Sequence, residues 1–297
     1  MSTWKSLTVF IAVSYGLAAA IDFATRQVVE SEPPTSQLLV ALPLAWGLVR
    51  MYTPTVAALA SALLVDRVER SKLRSTLGLS VTELSVKYFL LAPLLVLPPL
   101  FAALALEMAL GALEPRALLT ALPGLHLLEP RLAAATFMAV TLLSGYLAAV
   151  TINAIYALGE EIGWRGYLYT LLWPRLGPLK ATLVIGAAWG LWHYTAALLL
   201  GHNYQTHRVE GPLVFTAITT LMTAPMLLLR RSSGSVLPAA SFHGAVNAWW
   251  GLTVLLAPSL GELQGGLGAV GLAAWALALP VILAAERLLA GKLGAGK

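Results

Sequence analysis

Eight stretches of this chain are apolar enough to cross a lipid bilayer: 6–24, 37–65, 88–107, 132–158, 178–201, 212–229, 236–256 and 266–285. A spanning helix needs roughly 20 mostly apolar residues. Inside the hydrocarbon layer a backbone must satisfy its own hydrogen bonds, so each stretch is predicted to be helical. The expectation is an all-α polytopic membrane protein, one membrane domain over 1–297, with a polar cavity among helices 4, 5 and 7. Charge scarcity agrees, since 11% of residues are charged against about 25% in soluble domains. The second stretch is too long for one straight span and is broken by Arg50 and Pro54. The third carries Pro93, Pro98 and Pro99 and is predicted to kink. Lys5 followed by Ser6 to Ala20 resembles a signal peptide. The apolar run continues through Ala24 with no soluble domain after it, so it reads as an uncleaved first span.

The distribution of positive charge tests this count. With the N-terminus inside, the cytoplasmic side holds Lys5, then Arg67, Arg70, Lys72, Arg74 and Lys87, then Arg165, Arg175 and Lys180. It also holds Arg230, Arg231, Arg287, Lys292 and Lys297, while the other side holds only Arg26, Arg116, Arg131 and Arg208. Such a bias is expected of a multi-pass protein of the cell membrane with both termini cytoplasmic. It also accounts for the +5 net charge without nucleic acid as a partner. The 66–87 stretch reads as a solvated basic loop, or as one lying on the anionic inner surface. There are no cysteines, which excludes disulfides, thiolate metal sites and cysteine nucleophiles.

Three polar clusters interrupt these spans: Glu160-Glu161-Ile162-Gly163-Trp164-Arg165, Trp189-Gly190-Leu191-Trp192-His193 and His243-Gly244-Ala245-Val246-Asn247. Ionisable groups inside a membrane are costly and mark function by default. Adjacent helical residues point about 100° apart, so Glu160 and Glu161 cannot share a face. Glu161 and Arg165 stand at i,i+4 with the acid first, the favourable order for a salt bridge. That leaves Glu160 without a local partner, on the stripe of Trp164, as a candidate general base. The competing reading is a helix end at the surface, with Trp164, Tyr167, Tyr169 and Trp173 as an interfacial belt. His193 shares a face with Trp189, and His243 with Asn247. Either pair could instead be interhelical polar glue.

Depth ties the clusters together. Counting ~1.5 Å per residue, Glu160 lies ~20 Å before the turn at Trp173, and His193 ~22 Å after Pro178. His243 lies ~18 Å past Arg231. The matched depths predict one cavity, reached from the cytoplasmic side. A helix from 132 to 173 is too long for one span, so it is predicted to project, start later, or bend near Gly145 or Gly159.

The order Glu-Glu-x-x-x-Arg, aromatic-x-x-x-His, His-x-x-x-Asn on successive helices resembles the CPBP intramembrane proteases. This group includes the CAAX prenyl protease type II, bacteriocin-processing and abortive-infection proteins. The likeness is strong over 160–247, within a protease core of about 132–256, and extends to Pro54-Thr55-Val56-Ala57-Ala58-Leu59. It implies an endopeptidase acting on a membrane-associated substrate, prenylated where that substrate is of the CAAX type. Glu160 would activate water with His193, and His243 and Asn247 would stabilise the oxyanion. Glu161, Arg165, Trp164 and Trp189 would support the site. The family usually has Phe at the position of Trp189, so an altered pocket wall is expected there. No cofactor is assigned. A zinc-dependent form of the same protease would use Glu160, His193 and His243.

Two other classes compete. Intramembrane Glu and His also build proton relays in transporters, but such proteins show inverted repeats that this sequence lacks. A non-catalytic immunity-type scaffold would have lost a catalytic position, and none is lost. His126, His202 and His207 are expected in outer loops, with Glu107, Glu114 and Glu129 away from the cavity's opening. Arg50 either snorkels or lines the cavity.

Overall fold

The computed structural model describes residues 3–114 and 124–294, the side chains of His126 and Gly294 apart. Arg116, Lys297 and the His126 side chain therefore lie outside the described residues. Those described are mostly helical, and seven helical stretches are long and apolar enough to cross a membrane. The chain is a multi-pass membrane protein. The count falls one short of the eight expected because the 236–256 span is not among the seven, and one of the seven is itself folded in two. Ile152–Leu200 is one continuous stretch by length, yet Gly177 (φ 71°, ψ 175°) breaks it before Pro178. The chain folds back there, which lets Trp164 pack against Trp192 with ring centroids 6.3 Å apart. The span expected at 236–256 is divided at Trp250–Gly251 into two helices, each too short to count.

Helix α1 (Thr3–Ser31) runs unbroken. Helices α2 (Gln37–Met51) and α3 (Thr53–Ala60) are separated at Tyr52, beside Arg50 and Pro54 as expected, and a π-turn at Ser61–Val65 follows. The basic loop contains a short helix, α4 (Arg70–Thr76). Helices α5 (Glu83–Leu91) and α6 (Leu97–Ala109) are joined by a 3-10 turn at Ala92–Val96 that carries Pro93.

Helix α7 (Pro130–Ala149) ends where Thr151 leaves helical conformation (φ −128°, ψ −104°), and α8 (Ile152–Glu161) restarts at once. The predicted bend is therefore at Thr151, not at Gly145 or Gly159. Those glycines have another use. Their missing side chains admit the rings of Trp249 and Tyr52 against the helix backbone. A π-turn at Ile162–Tyr167 leads into α9 (Leu168–Trp192), then α10 (Tyr194–Leu200), α11 (Gly211–Ser233), α12 (Leu237–Trp249), α13 (Leu252–Leu255) and α14 (Ala269–Gly294).

The two ends of the bundle are distinct. At the basic end Val236 N donates to Gly78 O (2.9 Å), Thr170 donates to Thr76 O, and Arg230 lies over the Tyr169 ring. Tyr169 and Trp173 sit there, as an interfacial pair would. Trp164 and Tyr167 do not, since both are buried against Phe10. At the opposite end the 201–210 and 257–268 segments join. Tyr204 donates to Leu267 O, and Glu262 accepts from the backbone N–H groups of Gln205, Thr206 and His207. Four hydrogen bonds, one of them from the Thr206 hydroxyl, overcome burial's upward push and hold the Glu262 carboxyl at about 2.

Candidate active site

Helices α8, α9 and α12 meet around a cavity of about 620 Å³ lined by Glu160, Trp189, His193, His243 and Asn247. The three clusters, far apart in sequence, thus converge as the matched depths predicted. The end towards which the cavity extends is not the basic one. The lining includes Pro43, His202, Asn203 and Leu267, from the end opposite the basic loops. No residue of the 66–87 loop, the Gly177 turn or the 230–236 turn lines it. The depth counts fixed how deep the clusters lie. They could not tell which end is plugged, because the basic end is sealed by contacts distant in sequence.

Glu160 is 2% exposed, and its Oε2 accepts a 2.6 Å hydrogen bond from the indole N–H of Trp189. It therefore has a partner, though not a local one. Glu161 and Arg165 form the expected pair at 3.0 Å with both side chains fully buried. The pair does more than neutralise itself. The same Glu161 oxygen lies 2.9 Å from His243 Nδ1, so this carboxylate orients the imidazole of another helix. Arg165 donates to the Thr223 hydroxyl at 2.9 Å. Thr223 donates in turn to Thr219 O on α11. A buried charge survives only when paired and bonded in this way.

His193 stands at the junction of α9 and α10, its Nδ1 2.9 Å from Trp189 O and its ring against Trp192 and Phe215. That leaves Nε2 as its second ring nitrogen. Asn247 is exposed to the cavity, one helical turn from His243. Trp164 is buried away from the cavity, between Phe10 and Trp192, so it packs the wall from behind. Among the described residues no three His, Asp or Glu side chains are grouped to hold a metal ion. Glu160, His193 and His243 share a cavity without forming a ligand set.

Several lining residues were outside the sequence-derived site. Arg50 does not snorkel. It pairs with buried Asp22 of α1 at 2.8 Å, donates to Trp192 O at 2.9 Å, and lies 3.8 Å over the Trp192 ring. Asp22 also accepts from Trp46 and Thr195. Asn153 of α8 donates to Gly244 O and borders the cavity. Its seven-residue spacing from Glu160 was a readable sign of a shared face. His202 is no ordinary solvated loop histidine. It packs edge-on against Trp46, and burial, aided by the Arg50 charge, pushes it down to about 4. His207 does lie in an outer segment, half exposed and bonded to Glu262. Glu129 caps α7, whereas Glu107 is fully buried on α6.

Two comparisons bear on this site. Residues 141–249 match the family model described as type II CAAX prenyl endopeptidase, Rce1-like. A protein named CAAX prenyl protease 2, from Methanococcus maripaludis, is 28% identical over 93 residues, or 30% of this chain and 34% of that protein. The chain thus aligns with about a third of that relative's length. The matched segment contains all three motifs, and the family resemblance read from them is borne out.

Proposed function

From the match of residues 141–249 to the family model of type II CAAX prenyl endopeptidases, Rce1-like, we infer that this chain is a membrane-bound endopeptidase. Its motif-bearing core is about 132–256, and its substrate is a peptide or protein segment held at the bilayer, prenylated in the CAAX-type case. The observation that carries the reading is the shared cavity of Glu160, His193, His243 and Asn247. Amide hydrolysis needs a water, a base to deprotonate it, and donors for the oxyanion.

Glu160 takes a proton from a water that His193 helps to position, and the hydroxide attacks the scissile carbonyl carbon. Asn247, through its carboxamide N–H, and His243, through its imidazole ring, donate to the oxyanion. Collapse breaks the C–N bond, and Glu160 returns its proton to the departing amine. Every group needed is supplied by the chain, so the proposed route is a glutamate-dependent one without metal. The charge bias assigns both termini to the cytoplasm. The cavity's roof of His202, Asn203 and Leu267 then faces the other side.

Glu160→Ala, purified in detergent and assayed on a membrane-tethered or prenylated peptide, tests the reading. The rate is expected to fall about 10²- to 10⁴-fold. A rate equal to that of the unaltered protein would overturn it.

A further inference from the structure

Trp189 meets four polar residues of the site: Glu160, Arg165, His193 and His243. Its indole N–H donates to Glu160 Oε2 at 2.6 Å. The Arg165 guanidinium lies 4.1 Å from its ring centroid. The rings of His243 and His193 stand edge-on to it at 5.2 and 6.0 Å, and its carbonyl oxygen meets His193 Nδ1 at 2.9 Å. The side chain is 1% exposed, so its orientation is set by packing.

We propose that Trp189 is the positioning residue for the base: its indole N–H fixes one Glu160 oxygen, leaving the other to face the cavity and take the water's proton. The argument is one of valence and freedom. A glutamate side chain has three rotatable bonds and two equivalent oxygens, and immobilising it is entropically costly. An indole is a single donor with no acceptor and no titration. It can therefore anchor a carboxylate without competing for the proton in flight. A charged partner roughly doubles the strength of such a bond. The guanidinium on the ring face keeps the indole from rotating, and Arg165 is itself held by Glu161 and Thr223. One rigid array thus runs from α11 through the π-turn to the base. Phenylalanine would fill the same space and keep the ring face for Arg165, but it has no donor.

The kinetic part of this proposal rests on the endopeptidase reading, and a spectroscopic part stands without it. Trp189→Phe is expected to lower kcat about 10- to 100-fold, the worth of one hydrogen bond to a charged group. KM should change less than about 2-fold, because the substrate never meets the indole N–H. Trp249→Phe removes a buried indole N–H bonded to Thr141 O and should leave kcat unchanged. In ¹⁵N-indole spectra, the resonance lost in Trp189→Phe should lie downfield in the native protein and move upfield in Glu160→Gln. If Trp189→Phe does not fold, Trp189→Tyr replaces it in both measurements. An unchanged kcat, a loss confined to KM, or an indole resonance indifferent to Glu160→Gln would each overturn the proposal. If native protein and Glu160→Ala show equal activity, the endopeptidase reading falls and the resonance alone decides this one.

Discussion

The Glu161–Arg165 pair permits a sharp thermodynamic test, because both side chains are fully buried and the carboxylate is shared with His243. Glu161→Gln keeps the volume and an acceptor for His243 but strands the Arg165 charge. Removing one member of a buried pair costs about 3–5 kcal/mol, most of it the uncompensated partner. Arg165→Met strands Glu161 instead, with only the imidazole left beside it. At about 2–4 °C per kcal/mol for a chain of this size, each single variant should melt roughly 6–20 °C lower. The double variant strands no charge, so it should be more stable than the sum of the singles by at least about 2 kcal/mol. The assay is thermal unfolding in one detergent, with all four proteins at equal concentration. Singles that add within about 0.5 kcal/mol would refute the reasoning, and the pair would then be a bystander to packing.

Three further expectations follow from other parts of the site. Asn247→Ala should lower kcat about 10²- to 10³-fold with little change in KM, as loss of an oxyanion donor does; a matching rise in KM with kcat intact would place Asn247 in substrate binding. Activity should survive chelator, with no stoichiometric metal in the pure protein by elemental analysis; loss restored by zinc would shift the mechanism to the metal form. Glu262 is held at about 2, below its ordinary value near 4.5, so its bonds stabilise the fold above that ordinary value. That contribution is lost as pH falls from about 4.5 towards 2, and Glu262→Gln should flatten the melting profile in this window. An unaltered pH dependence would show that the joined outer segments do not depend on this carboxylate.

Much of the site was legible because membrane solvent makes polar residues conspicuous. The i,i+4 spacings gave the Glu161–Arg165 bridge and the common face of His243 and Asn247 directly. Local spacing could not show which partners arrive from other helices. Glu160's bond to Trp189, and Glu161's to His243, join residues 29 and 82 positions apart. Arg50 was ambiguous for the same reason, since Asp22 belongs to another helix. The helix break at Thr151 was missed because glycine is the usual breaker, and here the glycines serve close approach instead. The end towards which the cavity extends was not legible, because charge bias orients the loops without saying which of them leaves a gap.

The spacing of the two buried ion pairs along the chain has a consequence for biogenesis. Glu161 precedes Arg165 by four residues, and Asp22 precedes Arg50 by 28, on successive helices. In each case the acid is synthesised before the base that needs it. An arginine entering the bilayer alone costs roughly 2.5–3.5 kcal/mol at mid-depth. Arg165 brings its counter-ion in the same helical segment, and Arg50 finds its own in the helix inserted just before. His243, the other partner of Glu161, arrives later in the chain. The order of synthesis therefore gives each of these buried arginines a carboxylate that is already in place when it enters the bilayer.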